Sequence, residues 1–344
     1  MTVVLFALLE PGEVAGGREG WPEQLVTLFT RNDAPAKLVL FTYDSHHAAS
    51  AHERLQVVVL QRPRFFWSRY RQHRALRAQV AELKADRVLF YGISSYVAGM
   101  AKPALILTAD DFRKKRVLQL RKKAFAGLPV FVANKQAREN VLGLTGNKQP
   151  VTVVYGCLPG RSVVELDTQL VKDRFTAGAE YFLYQGALSQ KAELINLLKA
   201  FSRFKRRQKS GWKLVLVPGK PEPLKDLEDL LATYKYREDV VLVAAPAPEV
   251  VESLFAAAWC FVYPSLPGYT PNPLLQALAW QLPLIATNAC KEWVGAAGLY
   301  FEPGDEVALA DHLMYIYKDE GLHQRLREAA LAEQVKFSWQ PLLY

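Results

Sequence analysis

Short apolar runs closed by turn residues alternate with longer stretches at helical spacing along the whole chain, and this alternation constrains the fold most. Strands that pair in parallel and carry helices on both faces read as continuous apolar runs, because neither face meets water. In the first half Val3–Leu9, Leu38–Tyr43, Gln56–Leu60, Arg87–Tyr91, Ala104–Thr108, Val130–Ala133 and Val151–Tyr155 read as strands. Helical stretches fall between them, at Pro22–Thr30, Phe66–Lys84, Lys114–Ala126 and Lys135–Leu142. From Val164 to Glu180 the periodicity fades, and it restarts at Tyr181 with YFLYQGAL. The second half then runs through Tyr181–Tyr184, Ala192–Gln208, Lys213–Pro218, Leu224–Tyr234, Val240–Ala244 and Pro248–Ala257, and closes on helices Val307–Lys318 and Leu322–Val335. At 344 residues the chain exceeds the usual size of one core. The expected organisation is therefore two βα domains, 1–165 and 181–344, joined by a linker at 166–180, with a ligand crevice at the carboxyl ends of the strands.

Half the residues are hydrophobic and 22% are charged, the composition of an ordinary globular protein. No apolar segment approaches the roughly 18–20 residues that span a bilayer. The opening run MTVVLFALLEPG has no positive residue before it and meets Glu10 and Pro11 at once, so it reads as a first strand, not a signal peptide. Cys157, Cys260 and Cys290 are far apart and share no metal-ligand spacing, which points to a reduced, cytoplasmic protein without a bound metal. The net charge of +9 favours anionic partners. None of the usual nucleic-acid modules is present, so nucleic acid is not expected among them.

The stretch FVYPSLPGYTPNPLLQALAWQLPLIAT, Phe261 to Thr287, reads as strand, loop, helix start and strand. Pro273 suits a first helical turn, where its missing N–H would be unpaired anyway. Backbone donors at such a helix start form an anion site that fits a diphosphate. The stretch contains no carboxylate.

PRFFWSRYRQHRALRAQV, from Pro63 to Val80, mixes Phe65, Phe66, Trp67 and Tyr70 with five arginines. One reading is a basic amphipathic helix that lies on an anionic membrane, making the protein peripheral on its inner face. The other has Phe66, Tyr70, His73, Leu76 and Val80 forming a stripe that packs on the sheet while the arginines face water.

Four landmarks of the second half resemble the nucleotide-binding domain of family-4-type retaining glycosyltransferases (glycosyl transferases group 1), which have the GT-B fold. They are YFLYQGAL with LINLLKAFSRFK, then KLVLVPGK, then PSLPGYTPNPLLQALAWQLPLIAT, and last GLYFEPGDEVALADHL with FSW, in the family's order from Tyr181 to Trp339. In the first half, VAGGREGWPEQLV, LILTADDF, VFVANKQARENV and VTVVYGCLPG resemble the acceptor-side domain more faintly. The resemblance implies an α/β protein of two Rossmann-like domains facing each other across a cleft. It implies retaining transfer from a nucleotide-diphosphate sugar to a glycan or lipid-linked acceptor in cell-surface polysaccharide assembly, with no metal and no cofactor beyond that donor. The chain ends at FSWQPLLY, where the family begins a last helix that crosses back to the first domain.

Carried over residue by residue, the resemblance puts the diphosphate clamp on Lys191, which follows the glycine turn at Gly186. The other reading of Lys191 is a solvated lysine at a helix start. Two glutamates seven residues apart would stand at Gly268 and Gln276, and the family's histidine at Ala109. That leaves Asp110 or its neighbour Asp111 as the polar group by the sugar, with a helix N-cap as the other use of Asp110. The donor-binding set implied is Gly16, Gly17, Gly186, Lys191, Ser265, Gly268, Tyr269, Thr270, Asn272 and Gln276, with Lys191 and Asp110 as the catalytic pair. Loss of the acidic groups also fits a catalytically degenerate relative that binds a nucleotide sugar, a glycan or a partner without transfer.

Overall fold

The computed structural model describes residues 2–8, 25–26, 29, 36–43, 52–63, 65–92, 97, 99–100, 102–107, 127–145, 149–161, 166–188, 191–219, 223–266 and 271–343. These fall into two compact units, residues 1–157 with 338–344, and residues 158–337. The last seven residues thus belong with the first unit, where the expected boundaries left them in the second. They form one helical turn, Gln340–Leu343, with Trp339 and Leu342 buried.

The first unit is built on strands β1 (Thr2–Ala7), β2 (Lys37–Thr42), β3 (Leu55–Val59), β4 (Arg87–Tyr91), β5 (Pro103–Ile106), β6 (Val130–Val132) and β7 (Val151–Val153). They lie in the order β3-β2-β1-β4-β5-β6-β7, and every strand pair is parallel. Helices α1 (Phe66–Glu82) and α2 (Lys135–Thr145) are two of its connections. The core is aromatic at its centre, where Phe6 stacks on both Phe41 and Phe90 at 4.8 Å between ring centroids. Each of those rings sits on a different one of three adjacent strands, so parallel register brings them level.

The second unit adds α3 (Thr168–Thr176), β8 (Tyr181–Gly186), α4 (Lys191–Gln208), β9 (Lys213–Pro218), α5 (Lys225–Ala232), β10 (Val240–Leu242), α6 (Pro248–Ala257) and β11 (Cys260–Tyr263). It continues through α7 (Asn272–Ala279), β12 (Leu284–Thr287), β13 (Gly298–Phe301), α8 (Glu306–Lys318) and α9 (Glu320–Glu333). The strand order is β10-β9-β8-β11-β12-β13, again all parallel. α4 and α8 cover one face through Leu197, Phe201, Phe204, Leu309 and Leu313, all fully buried. Phe204 meets Phe182 edge-on at 5.2 Å and Tyr317 at 5.3 Å.

The stretch 166–180 is not structureless. Asp167 caps α3, its Oδ1 accepting from the N–H groups of Gln169 at 2.9 Å and Leu170 at 3.2 Å. The helix stops at Ala177 and Gly178, both with positive φ.

Within the basic run Lys205–Lys209, Lys205 is only 6% exposed and serves the fold. Its ammonium sits 2.9 Å from Asp239 Oδ2 and donates to the carbonyls of Trp212 at 3.2 Å and Ser210. Lys213 holds the other carboxylate oxygen at 3.0 Å. Burial pushes the Asp239 carboxyl up, but hydrogen bonds from Lys205 and Lys213 outweigh it and hold the group below its ordinary 3.8. A carboxylate with a lowered folded pKa stabilises the fold above its unfolded value and loses that contribution as pH falls through the folded one. Urea midpoints are therefore expected to be flat from pH 7 to about 5 and to fall progressively below pH 4. Asp239→Asn is expected to lower the pH 7 midpoint and to flatten the part of the acid slope that belongs to this carboxylate.

Candidate functional site

The strand order of the second unit fixes where a ligand can sit. From β8 the chain moves outward to β9 and β10, then returns through α6 to place β11 on the other side of β8. The crevice outside the carboxyl ends of β8 and β11 is the topological switch point, where open α/β sheets take their ligands. β8 ends at Gly186, and β11 delivers Pro264 and Ser265 beside it.

At Gly186 the need is for space. An added Cβ would lie 2.5 Å from the Tyr184 hydroxyl. That hydroxyl turns back beneath the strand end and donates to the Ala187 carbonyl at 3.1 Å, fixing the start of the turn. On the neighbouring strand, Gly219 N–H donates to the Gly186 carbonyl at 2.8 Å, one ladder step beyond β9. A Cβ at Gly219 would stand 3.4 Å from the Gly186 backbone. Two glycine turns thus leave the sheet in contact, and neither glycine adds a side chain of its own.

Ser265 is buried, and its carbonyl accepts from the Thr287 hydroxyl at 3.1 Å. Thr287 ends β12 and is itself fully buried, so the neighbouring strand anchors the first residues of the loop. The Cys290 thiol lies 3.5 Å from the same hydroxyl. Burial pushes that thiol up to about 11, and burial likewise raises the Cys260 thiol, so both stay protonated at neutral pH. Thr287→Val keeps the shape and removes the donor to Ser265. The expected result is a loss of about 1–3 kcal/mol in stability, measured by urea denaturation, because a buried carbonyl is left without this partner.

α7 begins at Asn272 with Pro273 in its first turn and buries Leu274, Leu275 and Leu278. Asn272 is exposed at the helix start, and Gln276, one turn on, is half-buried. Lys191 is the first residue of α4, the helix that follows the Gly186 turn. The crevice end of this unit therefore gathers Gly186, Ser265 and the starts of α4 and α7. Gly16, Gly17, Asp110, Gly268, Tyr269 and Thr270 lie outside the described residues. Sequence reading missed two members of the arrangement, Tyr184 and Thr287. Their signal was a polar group at the end of an apolar strand, where a hydroxyl can tie down the loop that follows. Among the described residues, no group of three or more His, Cys, Asp or Glu side chains is placed to hold a metal ion.

Residues 179–319 match the family described as glycosyl transferases group 1, and the match lies wholly within the second unit. The second unit is therefore similar to that family. O-antigen chain mannosyltransferase B of Escherichia coli is 28% identical over 163 residues, which are 46% of this chain and 42% of that protein. The chain thus spans less than half the length of this relative. Among solved structures, a glycosyltransferase from Rickettsia africae superposes with a TM-score of 0.74 at 12% identity, covering 99% of this chain and 95% of the other. Anabaena HepE, solved in complex with UDP and glucose, superposes at 0.67 with 14% identity, covering 98% and 96%. The fold is that of the GT-B glycosyltransferases, two Rossmann-like domains each built on a parallel sheet.

Proposed function

We propose that the protein is a retaining glycosyltransferase that moves a hexose, mannose by analogy with its O-antigen relatives, from a nucleotide-diphosphate sugar to a glycan or lipid-linked acceptor. The observation that carries the reading is the topological switch point between β8 and β11, with its glycine turn at Gly186, inside the segment that matches group 1 transferases. A departing nucleotide diphosphate gains negative charge as the sugar leaves, so backbone donors and a placed cation are what its transition state requires. The glycine turn at Gly186 offers the approach, the start of α7 the donors and Lys191 the cation. Gln276 takes the ribose hydroxyls as a neutral hydrogen-bonding partner. Asp110 is the proposed polar group beside the reacting sugar. No metal takes part in this reading, and the protein works in the cytoplasm, on cell-surface polysaccharide.

Gly268 and Gln276, in place of the two glutamates of the family pattern, favour a second reading, a degenerate protein that binds the nucleotide sugar without transferring it. A thermal-shift screen with UDP, GDP, ADP and their sugars, followed by product analysis, separates the two. A ligand at about a hundred times its Kd adds about 2.7 kcal/mol to the folded state and raises the melting point. A shift with product supports the transferase, and a shift without product for any donor and acceptor supports the binder. Absence of any shift contradicts both.

A further inference from the structure

The structure divides the basic aromatic segment in a way neither sequence reading anticipates. Leu76 and Val80 of α1 are buried, as the packed stripe requires, but Tyr70, assigned to the same stripe, is 56% exposed. The reason is angular. At 3.6 residues per turn Tyr70 points about 100° away from the direction set by Leu76 and Val80, and Trp67 points about 180° from Leu76. Trp67 is 71% exposed and Phe65, just before the helix, 76%.

Trp67, Tyr70, Arg74 and Arg77 follow one another at spacings of three and four, and Arg71 stands four residues after Trp67, so the five share the outward face. All five are exposed. Residues 61–80 contain six arginines and no aspartate or glutamate. Among the described residues Arg71 and Arg74 make no ion pair. Arg74 and Arg77 also line an open depression of about 410 Å³ with Gly99 and Met100, room enough for a phosphate group. Side-chain hydrogen bonds hold the helix end that carries the aromatics. Ser68 Oγ donates to the Phe65 carbonyl at 2.6 Å and accepts from the Phe65 N–H at 3.1 Å, and Gln72 Nε2 donates to the Gln61 carbonyl at 2.9 Å.

We propose that this face of α1, with Phe65, Trp67 and Tyr70 inserted between headgroups and Arg71, Arg74 and Arg77 on lipid phosphates, docks the protein on an anionic bilayer. The charge carries the choice of occupant. A surface that is wholly cationic and studded with large amphipathic rings matches the boundary of an anionic membrane, where Trp and Tyr settle at headgroup level and each arginine adds attraction. Among the described residues no helix is long and apolar enough to cross a membrane, so the contact is peripheral. This inference stands independently of the sugar chemistry.

Vesicle flotation of the full chain tests it, using phosphatidylcholine vesicles with and without about one third phosphatidylglycerol. Flotation with the anionic vesicles alone is expected, weakening as salt rises. The double variant Trp67→Ala/Tyr70→Ala is expected to bind at least tenfold more weakly, from loss of apolar insertion. Arg71→Ala/Arg74→Ala is expected to lose about fivefold per arginine. These side chains are exposed, so melting temperatures should stay within a few degrees of wild type, which separates lost docking from lost folding. Failure of the wild-type chain to float, equal binding to neutral vesicles, or undiminished binding by both double variants would overturn the proposal. So would retention on RNA without retention on vesicles.

Discussion

Gly186→Val is expected to abolish measurable donor binding, a loss on the order of a hundredfold, while the protein still folds. The branched side chain has no space, because even a Cβ would meet the Tyr184 hydroxyl at 2.5 Å. Either the Tyr184 ring moves and releases the Ala187 carbonyl, or the strand end shifts against Gly219. Overpacking of this kind costs about 1–3 kcal/mol, a part of the stability of a domain in this size range. Both outcomes displace the backbone that the diphosphate approaches. Calorimetric titration with the best nucleotide ligand, beside a urea melt, reads the two effects separately. Tyr184→Phe serves as the control. It removes the bond to Ala187 and should cost about 1 kcal/mol with a smaller loss of affinity.

The second large effect belongs to Lys191. Lys191→Ala is expected to lower kcat by about a hundred- to a thousandfold, the usual consequence of removing one placed charge from a transition state. Stability should change by less than about 0.5 kcal/mol, since the substitution replaces one good helix former with another at the first position of α4. If Lys191 acts only on the ground state, KM rises and kcat holds. If it is a solvated lysine, neither changes.

How much of this was legible in the sequence follows from what each element buries. Lys213–Pro218 and Arg87–Tyr91 were readable to the residue, because a strand covered on both faces is an unbroken apolar run between polar limits. α3 was not, because one face of a surface helix of nine residues gives too few apolar positions to show a period. Its caps, Asp167 at one end and Ala177–Gly178 at the other, went unread as well. Tyr70 illustrates a different failure. A spacing of three or four residues defines a stripe, but only the sheet beneath decides where the stripe is centred, and here Leu76 and Val80 decide it. At the site, the strand order could not be read at all, because it is set by which strands pair and not by their succession along the chain. Gly186 shows the limit from the other side. Sequence marked it as a turn glycine, and the reason, a tyrosine hydroxyl two residues back folded under it, appears only with coordinates.

The central claim is that a nucleotide-diphosphate sugar bound at the β8–β11 switch point gives up its sugar to an acceptor. The most direct measurement incubates the full chain with a panel of UDP- and GDP-sugars and glycan or lipid-linked acceptors, and determines by NMR the anomeric configuration of any product. The account predicts transfer from one donor class, with the donor's configuration retained and the activity lost in Gly186→Val. No transfer from any donor, or a product of inverted configuration, would contradict it.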